Sequence, residues 1–320
     1  MKKYSFFFFL IIGAFIFQWV YKFFDGPDSL NLILESKHKL LILIVAHIPT
    51  LYFDSLAWVV LMSRNKLSIY SAFMITWIAQ TSSKFLPTGN ITGEFVRFFL
   101  AKKSGQKFSE ASSTVLIDLF IATFSLFLVG LLTFILVVNK KDEFVFESDL
   151  FYLILAMMLI FIGSLFFFLI IRNRLLSKLV RAMPVTNFFK TNRIYSIFRL
   201  DKSLHKLSFE KKKLFQAVIF RMIGWIAGAI EIYFFLWMIG VDANLIDVIL
   251  IESVTSIVRS VAFFIPAGLG VQEFAFVMIG SFVGYSGVIS FAIAMGRRLR
   301  EIMVGIPAIV VFLLIYRKRI

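Results

Sequence analysis

Two stretches hold residues whose types and spacing could do chemistry. "FLPTGNITGEF" runs from Phe85 to Phe95, and "FIPAGLGVQEF" runs from Phe264 to Phe274. Each sets a proline, glycines and a glutamate between apolar flanks. A glycine-rich turn ahead of a helix start exposes backbone N–H groups and the positive end of the helix dipole, which suits an anion such as a lipid phosphate. Gly89, Gly93, Gly268 and Gly270 are the candidate backbone cradle. Arg97, Arg297 and Arg298 are candidate positive charges for a phosphate. Glu94 and Glu273 are placed to cap a helix start, balance an arginine or carry a proton. Asp118, two turns into an apolar helix, is a further candidate to orient these bases or exchange protons.

The elements that carry these residues are membrane helices. The chain has 320 residues, 60% of them hydrophobic, and a mean hydropathy of +0.89. Several apolar runs reach the length of about 20 residues that crosses a hydrocarbon core as a helix. The fold class is therefore all-α and polytopic. Spans are expected at 4–24, 39–62, 111–138, 150–171, 214–240 and 287–316, the first of them a retained helix rather than a cleaved signal. There are no cysteines, and the three histidines lie far apart, so neither a thiolate site nor a metal or other cofactor is expected. The net charge of +15 reads as lysine and arginine in cytoplasmic loops, not as a nucleic-acid surface.

The loops give an orientation. Residues 25–38 and the loop "NKKDEFVFESD" carry acids and read as outside. Lys102, Lys103 and Lys107 read as inside. The connection 172–213, with twelve Lys/Arg against Asp201 and Glu210, must also be inside. Six spans with both termini cytoplasmic satisfy every loop. The segments 67–101 and 245–284 then each begin and end on one side, so each reads as a re-entrant helical hairpin. Scored as full crossings, their arms would give an eight-span count.

The two hairpins are related. At an offset of 179 residues Phe85 meets Phe264, Pro87 meets Pro266, Gly89 meets Gly268, Glu94 meets Glu273 and Phe95 meets Phe274. Phe matches are cheap in a chain with 41, but Pro matches are not in a chain with six. The flanking spans follow the same offset. The chain 1–320 thus reads as a single membrane domain holding a span–hairpin–span unit twice, at 39–138 and 214–317. The second unit enters from the opposite side, as in inverted-repeat transporters. For one motif, tight helix packing by Gly and Pro is an equal explanation; two related motifs favour a site.

Other charges lie inside the expected spans. Asp54 and Arg221 read as near helix ends, close enough to reach the interface. Glu252 and Arg259, seven apart on one helix face, read as a pair. The offset sets Arg297 opposite Asp118, so Asp118 is expected to pair with Arg297 or Arg298, either as a structural pair or as a gate.

At "FLPTGNITGEFVRFFLAKKSGQ", "SSTVLIDLF", "FIPAGLGVQEFAFVMIG" and "GRRLREIMVGIPAIVVFLL" the chain resembles the transmembrane domain of the lysylphosphatidylglycerol synthase/flippase family, also called flippase-like proteins. The first motif most resembles the branch associated with hopanoid transport. In the second, Gln272 stands where the family usually has Arg before its Glu. The resemblance implies movement of a phospholipid, isoprenoid or glycolipid between the leaflets of a bacterial inner membrane, with an anionic headgroup as the partner chemistry. No aminoacyl-transferase domain is expected, and the chain is read as a non-enzyme. Two alternatives stay open: a membrane glycosyl- or phosphotransferase, or a scaffold for a lipid-modifying enzyme docked on 172–213. The oligomeric state is not legible.

Overall fold

The Pro and Gly interruptions of the sequence become the ends of helices. A computed structural model describes residues 3–63, 67–86, 90–138, 147–182, 191–262 and 264–316. Among them run thirteen α-helices and no strand: α1 (Lys3–Phe23), α2 (Gly26–Glu35), α3 (Leu41–Leu61), α4 (Ile69–Phe85), α5 (Asn90–Lys103), α6 (Phe108–Val138), α7 (Glu147–Arg172), α8 (Leu175–Ala182), α9 (Thr191–Leu207), α10 (Lys211–Met238), α11 (Leu245–Val261), α12 (Val271–Val283) and α13 (Gly287–Val311). The protein is an all-α polytopic membrane protein. Large apolar side chains such as Phe8, Ile11, Phe15, Phe166, Leu159 and Leu314 stand exposed along the helices, as lipid-facing surfaces require.

Among the described residues four stretches are long and apolar enough to cross a membrane: Lys37–Leu61, Phe108–Val137, Lys211–Met238 and Pro266–Val283. A bent pair, Phe7–Phe23 with Gly26–Glu35, makes a fifth. α13 has the length, 25 residues, but its middle carries Arg297, Arg298, Arg300 and Glu301. The bend after α1 is 79°, so the segment expected as an outer loop is mostly the short helix α2. Asp25 takes a left-handed conformation there, and Pro27 sits in the first turn, where its missing N–H costs nothing. The Ser29 hydroxyl donates to the Val288 carbonyl, 2.9 Å away, which ties α2 to α13.

The interrupted segments fold back on themselves. α4 packs along α5, and α11 along α12. These helices have 17, 14, 17 and 13 residues. At about 1.5 Å per residue they reach roughly 20–26 Å, short of a core about 30 Å thick. With its preceding 3-10 turn Pro266–Gly268, α12 does reach 18 residues. α4 ends at Phe85 and Leu86 turns extended, just before Pro87, because the residue ahead of a proline is driven out of the helical region.

The helix contacts have an internal regularity. Exchange α3 with α10, α4 with α11, α5 with α12 and α6 with α13. Every packed pair among these helices then maps onto another packed pair: α4–α13 onto α6–α11, α3–α13 onto α6–α10, and α3–α6 onto α10–α13. The pair α3–α10 maps onto itself and forms the central seam. α4 also touches the turn Pro266–Gly268, so the first hairpin meets the second.

Candidate functional site

The central seam brings charges together that lie far apart in sequence. Glycines at 224 and 228 make this possible. A Cβ on Gly224 would lie 2.9 Å from Asp54 Oδ1, and one on Gly228 would lie 3.4 Å from Glu252 Oε1. Among the described residues fourteen charged side chains gather there in two clusters.

The first cluster centres on Asp118, fully buried in α6. Arg97 NH1 of α5 donates to its Oδ2 at 2.6 Å, and Arg221 of α10 grips it with Nε, at 3.1 Å, and NH2. Arg221 NH1 also reaches Asp54 Oδ1 of α3 at 2.6 Å. Gln80 of α4 donates to Asp54 Oδ2 at 2.7 Å. Glu94 lies 3.3 Å from Arg97 NH1, and the Arg97 guanidinium stacks 5.0 Å over the Trp58 ring. Three carboxylates (Asp54, Glu94, Asp118) thus face two cations (Arg97, Arg221), leaving one surplus negative charge.

The second cluster lies around α13. Arg297 NH2 donates to Glu252 Oε1 at 2.6 Å, and Arg300 Nε donates to Glu231 Oε1 at 2.6 Å. His47 Nδ1 lies 3.0 Å from Glu231 Oε2. Arg298 Nε donates to Glu273 Oε1 at 2.6 Å. Lys84 Nζ reaches Glu301 Oε1 at 2.9 Å. Arg259 NH1 approaches the same oxygen at 3.7 Å and donates to Gln272 Oε1 at 3.2 Å. Four carboxylates (Glu231, Glu252, Glu273, Glu301) face five cations (Lys84, Arg259, Arg297, Arg298, Arg300). The surplus is one positive charge with His47 neutral, so the two clusters together balance. Balance and pairing are what make so many charges tolerable at membrane depth.

The clusters nearly touch. A cavity of about 20 Å³ is lined by Gln80 from the first and by His47, Lys84, Arg300 and Glu301 from the second. That is room for about one water. Among the described residues no group of three or more His, Asp or Glu is arranged to hold a metal.

Several expectations change here. Asp118 pairs with neither Arg297 nor Arg298. It lies in α6, which packs on α5 and α10, so its partners are Arg97 and Arg221. Arg297 and Arg298 sit in α13 against the other hairpin and find their acids there. Pseudo-equivalent positions correspond without touching: Asp118 is held from both repeats, by Arg97 of the first and Arg221 of the second. Asp54 and Arg221 do not reach out to an interface but are buried against each other in the α3–α10 seam. Glu252 takes Arg297 rather than Arg259.

The expected glycines are tightly packed. A Cβ on Gly93 would lie 2.7 Å from the Ala79 carbonyl oxygen, so this glycine lets α5 close on α4. One on Gly270 would lie 2.7 Å from Ile16 Cβ, so α1 closes on the second turn. One on Gly268 would meet Arg259 Cγ at 3.0 Å. Gly89 lies outside the described residues. The second turn shows Arg298 its carbonyls, not its N–H groups: NH1 donates to Ala267 O at 2.9 Å and NH2 to Gly268 O at 3.3 Å. Glu273 fills two of its expected roles at once. It accepts from the Gly270 N–H at 2.7 Å, capping α12, and it holds Arg298.

Asp54, His47, Gln80, Lys84, Arg221, Glu231, Glu252, Arg259, Arg300 and Glu301 join the site without having been placed in it from sequence. A signal exists in "RMIGWIAGAIE": Arg221, Gly224, Gly228 and Glu231 share one helix face, with small residues four apart flanked by charges.

The family model of the lysylphosphatidylglycerol synthase TM region matches residues 6–308. The chain belongs to this family. The match takes in both hairpins and both charge clusters, so the buried network lies within the part shared with the lysylphosphatidylglycerol synthase TM region. No curated protein and no solved structure matches the chain.

Proposed function

We propose that this protein moves a lipid between the two leaflets of a bacterial inner membrane. Membership of a lipid-related membrane family supports a lipid substrate. The observation that carries the proposal is the neutral belt of buried charge between two back-folded helix pairs. Charges at membrane depth mark pathways for polar groups, and broken helices meeting at a repeat interface are the usual site in alternating-access transporters. The exchange symmetry of the helix contacts supports an internal repeat, and the basic loops support an inverted arrangement with both termini and the 172–213 connection on the cytoplasmic side. In this reading the headgroup passes along the charge belt while the acyl chains stay in the bilayer, and the chain performs no covalent chemistry.

The test is reconstitution of the purified chain into liposomes with a leaflet-accessibility assay. Labelled phosphatidylglycerol, aminoacylated phosphatidylglycerol, a polyprenyl phosphate and a neutral isoprenoid would be compared. Protein-dependent equilibration of one class is the expected result; equal leakage with and without protein for every class would remove the proposal.

A further inference from the structure

The cations of the belt are not equally enclosed. Lys84 and Arg298 are each 19% exposed and Arg259 17%, against 10% or less for Arg97, Arg221, Arg297 and Arg300. The three more open ones converge on a single carboxylate. Glu301 lies 2.9 Å from Lys84 Nζ, 3.3 Å from Arg298 NH1 and 3.7 Å from Arg259 NH1. They come from three elements: Lys84 from the end of α4 in the first hairpin, Arg259 from α11 in the second, and Arg298 from α13. Arg298 also serves Glu273, so three cations share two acids and one positive charge stays uncompensated. Donors are left over as well. Among the described residues, neither Arg259 Nε nor Gln272 Nε2 has a hydrogen-bond partner.

Three convergent cations, spare N–H donors and a surplus positive charge are what a phosphate needs. A carboxylate occupies the place. The adjoining cavity, about 20 Å³, has room for a water and not for a phosphate, so an incoming anion must displace the Glu301 side chain. We propose that Lys84, Arg259 and Arg298 form the binding site for the phosphate of the transported lipid, and that Glu301 closes this site by standing in for that phosphate. The inference rests on the lipid-movement reading and adds to it the recognised group and its ligands. The exchange of one anion for another keeps both hairpins bridged to α13, so the bundle never leaves the three cations bare.

The test measures binding to the full chain in detergent. The probes are dihexanoyl phosphatidylglycerol, neutral dihexanoylglycerol and inorganic phosphate. Glu301→Gln removes the competing anion and should tighten dihexanoyl phosphatidylglycerol about tenfold, the effect of one charge-assisted contact. Glu301→Asp keeps the charge, and with it the fold, but withdraws the carboxylate by one methylene; it should tighten binding to a smaller degree. Lys84→Met should weaken it about tenfold. Unchanged affinity in both Glu301 variants, or equal tightening toward the neutral lipid, overturns the site. If such a protein still equilibrates lipid between leaflets, the transport reading survives the loss. Tightening toward inorganic phosphate alone upholds the anion site, assigns it to a free phosphate and counts against the lipid reading.

Discussion

Neutralising Asp118 should destabilise the protein less than neutralising its partner Arg221, although both are buried and each holds two partners. The charge surplus sets the sign. The cluster holds three carboxylates and two guanidinium groups, so Asp118→Asn brings it to neutrality. Arg221 keeps Asp54 at 2.6 Å and Arg97 keeps Glu94 at 3.3 Å. The asparagine oxygen still accepts one bond, and the loss is roughly 2 kcal/mol, the worth of one hydrogen bond to a charged group. Arg221→Met instead leaves three carboxylates to Arg97 alone. Asp54 retains only Gln80, and the cost is that of an uncompensated buried charge, roughly 3–5 kcal/mol. The second cluster inverts the order: Lys84→Met should be milder than Glu231→Gln, because a surplus cation is lost in the first case and an anion holding Arg300 in the second. Unfolding of the four purified variants in detergent, followed by tryptophan fluorescence, gives the comparison. Leaflet assays on the same samples should show Asp118→Asn impaired while folded, and a charge swap of Asp118 with Arg221 should not recover folding, because it sets an arginine against Arg97 and an aspartate against Asp54. Equal destabilisation by Asp118→Asn and Arg221→Met would refute the surplus-charge reasoning, since pair loss alone then accounts for both.

Gly270→Ala should cost roughly 1–3 kcal/mol, because the residue combines φ +78 with a Cβ inside α1. Gly105→Ala has φ +94 but open space, and should cost only about 1 kcal/mol; equal losses in thermal stability would contradict the packing argument. A Cβ on Gly305 would press against the Phe85 ring, so Phe85→Cys with Gly305→Cys should crosslink with a short bismaleimide, and failure to do so would place the first hairpin elsewhere. A cysteine at the exposed Lys202 in α9 should react with an impermeant maleimide only after cells are opened; labelling of intact cells would invert the orientation.

The long apolar runs made α3, α6 and α10 legible, because span length is a property of composition alone. Pro87 and Pro266 made the hairpins legible because each stands beside clustered glycines, a combination that favours a helix end, whereas the isolated Pro49 and Pro307 lie inside α3 and α13. The partners of Asp118 were not legible. A repeat offset says which positions correspond, whereas ion pairs form between helices that touch, and correspondence across a pseudo-symmetric pair is not contact. The seam residues Asp54 and Arg221 escaped for the same reason: each looks terminal on its own helix, and only the close approach at Gly224 shows that they face each other. Gly93 and Gly270 were read as an open cradle because sequence records that a backbone is bare, not which neighbouring segment comes to cover it.

The balanced belt has a consequence for the work done against membrane voltage. Carrying one elementary charge through 100 mV is worth about 2.3 kcal/mol, so a rearrangement that moved a lone buried arginine across the bilayer would be strongly biased by the resting potential. Seven acids and seven bases moving together transport no net charge, and the field does no work on them. It would act only if the negative and positive clusters were displaced in opposite directions. A bundle that rocks as a unit about the α3–α10 seam is therefore indifferent to voltage when empty, and the field would weigh only the charge of the bound cargo.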